Sequence, residues 1–262
     1  MAVVRKLHYA PSTVTLVDLK VMTYNVQGHG SLLLGSYLRR IARVIADEKP
    51  DLVGLQEVYR GGWRARFTDQ AEALARETGM TVHFGRSFGG GGGGGDGRGG
   101  AGGSGGRAGE FGNALLAAGE VRSVEVHPLP GAGEPRTVLA SRVVVRGTEL
   151  RFLVTHLAAW GRLGRAARGR QAEALAAQLR RTSAPFVLVG DLNAPPGAPE
   201  LGHLLAADLF RACGELASTH RMTRQHLDYV LADRGWTPVA SRVLRRGPSD
   251  HWPVVVDLRR AA

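Results

Sequence analysis

The chain has 262 residues, 44% of them hydrophobic, and a formal net charge of +11 at pH 7. That length is ample for a sizeable core in one large α/β or two-sheet domain, and the composition is that of a globular protein. A single cysteine, Cys213, excludes an intrachain disulfide and a thiolate zinc cluster.

The positive charge admits two readings. Attraction to a polyanion such as nucleic acid or an anionic membrane is one. Compositional drift is the other, because Lys6, Lys20 and Lys49 are the only lysines and arginine supplies the rest, alongside heavy use of Ala and Gly. No stretch approaches the roughly 20 apolar residues of a membrane helix, so no membrane insertion is expected. The first twenty residues, with charges and a proline, lack an apolar segment of signal-peptide length, which predicts a cytoplasmic protein.

The elements follow in chain order. "LKVMTYNV" (19–26) reads as a strand. Leu38, Ile41, Ala42 and Ile45 recur at helical spacing within 35–50, and Pro50 ends that helix. "DLVGLQEV" (51–58) completes a strand-helix-strand unit. Residues 68–78 form a second helix and "TVHFG" another strand. Fifteen of the 21 residues from 89 to 109 are glycine. Such a tract buries too little apolar area to offset its ordering entropy, and it lacks the Lys-Ser/Thr pair of a phosphate-binding loop. It is read as a flexible surface insertion. Strand patterns resume in "NALLAA", "RSVEVHPL", "RTVLASRVVVRG" and "ELRFLVTHL". A helix over 165–181 follows, then the strand "PFVLVGDLN" (185–193) and a short helix over 199–209. "HLDYVLA", "PVASRVLRR" and "HWPVVVDLR" close the chain as strands. No internal repeat is evident. One domain over 1–262 is expected, with 89–109 as an insertion.

Where the polar residues fall carries the functional content. Apolar runs end in Asn25, in Glu57, in His156, and in Asp191 with Asn193. Asp228 stands near the start of "HLDYVL", and Asp250 and His251 precede the last strand. Burying one such group alone is costly, and any one of them alone reads as a loop residue or a cap. Together they suggest one shared site on a sheet edge. Carboxylates and an amide are hard oxygen ligands, suited to Mg²⁺ or Mn²⁺ rather than Zn²⁺. Histidines beside carboxylates suit proton transfer near neutral pH. A metal that polarises a phosphoryl oxygen, with a base for water, is the chemistry of phosphate-ester hydrolysis.

The ordered set "TYNVQG", "LQEV", "VTHL", "VGDLNAPP", "LDYVL" and "SDHWPVV" resembles the endonuclease/exonuclease/phosphatase superfamily, the deoxyribonuclease-I-like group, over residues 19 to 258. The resemblance implies a four-layer α/β sandwich, two mixed β-sheets packed face to face with helices outside. It implies that Glu57 is the principal metal carboxylate with Asn25 beside it, and Asp250 a direct or water-mediated ligand. His251, held by Asp228, would contact the scissile phosphate or move a proton. Asp191 would position or deprotonate the attacking water, and Asn193 would donate to a phosphate oxygen. His156 would be a second phosphate contact or the acid for the leaving oxygen. Arg136, in "GEPRTV", either stands where related bacterial proteins often carry an arginine near the phosphate or forms a surface salt bridge. Asn113 is either a phosphate contact or a strand-edge amide. Glu110 departs from the tyrosine of the nuclease branch. Arg170 and Gln171 read as structural.

The expected activity is Mg²⁺- or Mn²⁺-dependent hydrolysis of a phosphodiester, with nucleic acid favoured by charge. Phospholipid headgroups, as in sphingomyelinase-like members, and small phosphate esters are the alternatives, with Trp160 lining either pocket. A basic polyanion-binding module without catalysis is the competing class.

Overall fold

The computed structural model describes residues 16–28, 34–89, 109–159, 161–182, 185–206, 209–211 and 217–261. Nearly all of the glycine tract, together with Trp160 and Cys213, lies outside them. β1 (Leu16–Asn25) alternates between exposed and buried in its first half and is buried throughout its second. A strand covered on both faces needs apolar residues on both, and "VMTY" supplies them. α1 (Leu34–Glu48) buries Leu38, Ile41, Ala42 and Ile45 as their spacing predicts. It stops two residues short of Pro50, because the residue before a proline is disfavoured in the helical region; Lys49 instead turns out at φ 50°. β2 (Leu52–Arg60) then runs parallel to β1. α2 (Gln70–Thr78) is capped at its start by Asp69, which accepts from Glu72 N, and at its end by left-handed Gly79.

The first sheet is completed by β3 (Thr81–Gly89), β4 (Glu110–Ala117), β11 (Thr237–Val243) and β12 (Val254–Ala261), in the order β11-β12-β1-β2-β4-β3. β3 and β4 form an antiparallel ladder whose last rung pairs Gly89 with Glu110. The second sheet has the order β5-β6-β7-β8-β10-β9, from β5 (Glu120–Leu129), β6 (Arg136–Val145), β7 (Thr148–His156), β8 (Phe186–Asp191), β9 (Leu209–Arg211) and β10 (Asp228–Asp233). Among the described residues, β9 is the one strand that the sequence pattern does not predict.

The two sheets repeat one arrangement. β1 and β2 are parallel, joined by α1 and flanked by antiparallel β12 and β4. β7 and β8 are likewise parallel, joined by α3 (Gly161–Leu179) and flanked by antiparallel β6 and β10.

The sheets pack face to face. Leu19, Val21, Leu52 and Leu115 of the first share a core with Phe152, Val154, Val187 and Val189 of the second. The first sheet's other face, with Met22, Tyr24, Val53 and Leu55, meets Ile41 and Ile45 of α1 and Leu74 of α2. Ala172, Leu175 and Leu179 of α3 belong to the core of the second sheet, and α4 (Pro199–Leu205) packs on α3. The order of layers is therefore helix, sheet, sheet, helix, as the resemblance implies. Among the described residues no helix is long and apolar enough to cross a membrane.

Gly54 marks a close approach of the sheets. A Cβ there would overlap Val189 Cγ2 and lie 3.0 Å from Val154 Cγ2. Gly54→Ala should therefore cost about 1–3 kcal/mol through overpacking. Urea unfolding of the two proteins measures it, and an unchanged midpoint would show that the sheets can yield at this point.

Candidate active site

Alternation along the strands aims the polar residues at the gap between the sheets. Asn25 shares a face of β1 with Leu19 and Val21, which point into the inter-sheet core. In the second sheet the register sets His156 beside Asp191 and Asp191 opposite Asp228. Residues in register on neighbouring strands point the same way, so the three form a row across β7, β8 and β10. The site lies where strand ends of both sheets meet, rather than on the edge of one sheet.

Glu57 reaches the site by a different route. Strict alternation would send it to the helix side with Val53 and Leu55. The register between β2 and β4 shifts between Leu55 and Val58, and Glu57 takes a left-handed φ of 57°. This bulge turns the carboxylate back to Asn25, whose Nδ2 donates to Glu57 Oε1 and to Asp191 Oδ2, each at 3.1 Å. Buried Gln70 braces the bulge. Its Oε1 accepts from Tyr59 N at 2.9 Å, and its Nε2 donates to Gly28 O at 2.5 Å.

Asp191 is the most connected group. Its Oδ1 accepts from Asn193 N at 2.9 Å in a tight turn that gives Asn193 a φ of 49°. Its Oδ2 lies 3.5 Å from His156 Nε2 and 3.7 Å from His251 Nε2. Burial and the facing Asp228 push its carboxyl well above the usual carboxylate range, and His251, the Asn193 amide and Asn25 draw it partly back.

The two imidazoles are tuned in opposite directions. A guanidinium only donates, so Arg136 Nη1, 2.8 Å from His156 Nδ1, leaves the ring proton on Nε2. Burial, then the Arg136 and His251 charges, hold His156 well below its ordinary value, so the ring stays neutral. Asn193 Nδ2 lies 3.0 Å from the same Nε2; both are donors in this tautomer, and Nδ2 donates instead to Leu157 O at 3.1 Å. Burial also favours neutral His251, but Asp228, hydrogen-bonded to Nδ1 at 2.8 Å, outweighs it with help from Asp191 and Asp250 and raises His251 to about 10.

Asp250 and His251 lie in the loop before β12, so backbone alternation does not part them. Ser249 Oγ donates to Asn25 O at 2.7 Å and fastens that loop to the end of β1. Asp250 accepts from Gln27 Nε2 at 2.7 Å and lies 3.8 Å from His220 Nε2. His220 meets the His251 ring edge-on at 4.7 Å.

The structure therefore brings together Asn25, Glu57, His156, Asp191, Asn193, Asp228, Asp250 and His251, and Arg136 joins them through His156. Arg136 is buried and also pairs with Glu134 at 2.8 Å. Asn113 is not drawn in: its amide donates across the sheets to Thr137 O at 3.2 Å, the strand-edge role. Glu110 is held by Arg60 and Arg86. Gln171 accepts from Ala158 N and shapes the loop after His156, a structural part. Gln27, Gln70, Ser249 and His220 are site residues that the sequence pattern does not single out. "HRMTRQHLDY" offers His220 no apolar run to end, so the strand-end pattern passes over it.

Among the described residues, two groups bring ligand atoms within 4.8 Å of one another: His220, Asp250 and His251, and Asp191, Asp228 and His251. Glu57, Asp250 and the Asn25 carboxamide add hard oxygen donors, a set suited to a divalent cation of the magnesium kind. Cavities flank the centre on two sides. One of about 430 Å³ is walled by Glu57 and Arg136, and one of about 560 Å³ by Asn193, Arg165 and Gln225.

A sequence model of the endonuclease/exonuclease/phosphatase family matches residues 22–251. Among curated proteins none matches this chain. Solved structures do. An endonuclease/exonuclease/phosphatase from Beutenbergia cavernae DSM 12333 is 24% identical, with a TM-score of 0.76 over 94% of this chain and 72% of that one. The mannosyl-6-phosphatase Bt3783 of Bacteroides thetaiotaomicron VPI-5482 is 18% identical, with a TM-score of 0.70 over 92% and 99%. D. rerio TDP2, in complex with a single-strand DNA product, is 17% identical, with a TM-score of 0.71 over 92% and 98%. At these identities the likeness is one of fold.

The electrostatics of His251 has a consequence for stability. The folded chain holds its proton more tightly than the unfolded chain, which releases it near 6.5. The stabilisation is complete below that value and lost as the pH rises through about 10. In chelator, the urea midpoint should fall between pH 7 and pH 10, and fall less in His251→Asn. Equal slopes in both proteins would exclude His251 as the source.

Proposed function

Because the chain belongs to the endonuclease/exonuclease/phosphatase family, whose members hydrolyse phosphate esters, we propose that it is a divalent-metal-dependent phosphodiesterase in which water attacks phosphorus directly. The observation that carries this reading is the Asp191 carboxylate, buried between two imidazoles and linked through Asn25 to Glu57. Glu57, Asn25 and Asp250 would hold the cation, Mg²⁺ or Mn²⁺, whose charge polarises a phosphoryl oxygen when bound.

The side chains supply the rest. Asp191, with its raised carboxyl, takes the proton of the attacking water as the new P–O bond forms, and the ester oxygen leaves with the electrons of the bond that breaks. His251, kept as imidazolium by Asp228, faces the phosphoryl oxygens as a charged donor. Asn193 donates to the oxygen on which charge develops. A ring held neutral is a poor proton source at neutral pH, which favours His156 as a phosphate contact over a leaving-group acid. Arg136 supports the phosphate contact made by His156, whose ring its Nη1 meets while its Nη2 pairs with the Glu134 carboxylate. One catalytic domain carries this site, with 89–109 inserted into it.

The substrate we favour is a nucleic-acid phosphodiester, on the strength of the net charge of +11. The fold shared with a mannosyl-6-phosphatase keeps a small phosphomonoester as the second reading. The test is a panel of plasmid DNA, RNA, sphingomyelin, phosphoinositides, a hexose 6-phosphate and nitrophenyl phosphates, each with Mg²⁺ and with chelator. Chelation should abolish turnover. Asp191→Asn and His251→Ala should each cut the rate by about 10²–10⁴-fold while leaving the fold intact by circular dichroism. Turnover that survives both changes would overturn the reading.

A further inference from the structure

The 430 Å³ cavity beside the centre has a wall that the hydrolytic roles do not use. Tyr59 and Phe111 meet in a tilted contact, ring centroids 4.9 Å apart and planes at 59°, and with buried Ala65 they form a small hydrophobic cluster separate from both main cores. Ala65 belongs to the 61–68 connection between β2 and α2. That connection is held by its own backbone hydrogen bonds: Gly61 N to Thr68 O, Arg66 N to Trp63 O, and Phe67 N to Gly62 O. Gly61, Gly62, Arg66 and Phe67 all take left-handed φ values to close it. The loop is thus fixed at both ends and plugged at its middle.

What it presents outward is Trp63, 64% exposed at the cavity rim. The Arg64 guanidinium lies 5.4 Å from the Trp63 ring centroid, and Arg64 Nη1 donates to Tyr59 Oη at 3.2 Å. Packing does not require a tryptophan there, since its ring leaves most of its surface in water. An indole, a phenol and a guanidinium around one recess form stacking faces for a planar π-system. The recess also shares two walls with the catalytic centre. Glu57 is bonded to Asn25, and Arg136 is bonded to His156.

We propose that this cavity is a specificity subsite that takes a planar aromatic group carried by the scissile phosphate, with Trp63 as its stacking face. This rests on the phosphoesterase reading above and narrows it: the preferred ester carries an aromatic group on its ester oxygen, either directly or through a sugar. A nucleobase and an aryl ester share that chemistry.

The experiment is calorimetric titration of the full chain, in Mg²⁺, with thymidine 5′-monophosphate, phenyl phosphate and ribose 5-phosphate. One or both aromatic probes should bind about ten-fold or more tightly than ribose 5-phosphate. Trp63→Ala should erase that preference and Trp63→Phe should keep most of it. Thymidine 5′-monophosphate ahead of phenyl phosphate assigns the subsite to a base, and parity assigns it to an aryl ester. Equal affinity for all three probes, no binding of either aromatic probe, or a preference that survives Trp63→Ala overturns the proposal. The readout is affinity rather than turnover, and the Asp191→Asn chain in Mg²⁺ supplies it for any probe that the unchanged chain cleaves. If the phosphoesterase reading failed, the substrate panel would be silent while the Trp63-dependent preference remained. If only the subsite failed, turnover would proceed without it.

Discussion

The buried Asp191 carboxylate is the constraint around which the rest of the structure is arranged. A carboxylate removed from water is costly unless each oxygen is met by a donor or a cation. Here the partners come from four places: Asn25 at the end of β1, His156 at the end of β7, Asn193 in the turn after β8, and His251 before β12. No local segment could provide them. They converge only when the two sheets have closed face to face, so the group central to the proposed chemistry is also a sensor of correct assembly. The register adds a second demand, because it places Asp228 directly opposite Asp191, a like-charge pairing that is unfavourable by itself. His251, bonded to one carboxylate and near the other, is what makes the pairing tolerable.

The backbone departs from regular geometry at the same places. Gln27, Glu57 and Asn193 all have positive φ although none is glycine. Each is the point where a strand must stop alternating and turn its side chain or its successor toward the centre. Such conformations persist where the surroundings over-determine them, and the surroundings here are specific. Asn25 Oδ1 accepts from Gln27 N, Gln70 fills the bulge behind Glu57, and Asp191 accepts from Asn193 N. The two halves solve one problem in parallel ways. Val26 N donates to Gln56 O after β1, and Leu157 N donates to Asp191 O after β7, so each parallel pair is locked at its functional end by one further rung.

Much of this was legible in the sequence because two periodicities leave plain marks. Alternation and short apolar runs located the strands, and polar residues at the ends of those runs located Asn25, His156, Asp191 and Asp228. Glu57 was identified for a reason that the structure complicates: it interrupts β2 rather than ending it, and only a bulge makes it face inward. What stayed hidden depends on long-range geometry. Gln70 opens a helix and His220 sits in a loop, so neither interrupts an apolar pattern, and their roles appear only once Gly28 and Asp250 are beside them. Asn113 has the composition of a site residue but a register that hands its amide to β6. The repeat of strand, helix and strand leaves no mark in the sequence because its equivalent positions carry different chemistry, Asn25 in one half and His156 in the other.

The closing rung of the β3–β4 ladder bears on the glycine tract in a way that concerns neither catalysis nor binding. Gly89 pairs with Glu110, and a Cβ on Gly89 would run into the Gly109 carbonyl, so the chain departs and returns at adjoining positions. An excursion that begins and ends on one rung exerts no lever on the sheet, whatever its length. A change in the number of residues between Gly89 and Gly109 would leave both ends of the ladder at the same register, with no demand on Asn113, Glu57 or anything they touch. The boundary of the ladder at Gly89 and Glu110 thus separates the length of the glycine-rich sequence from the placement of the centre.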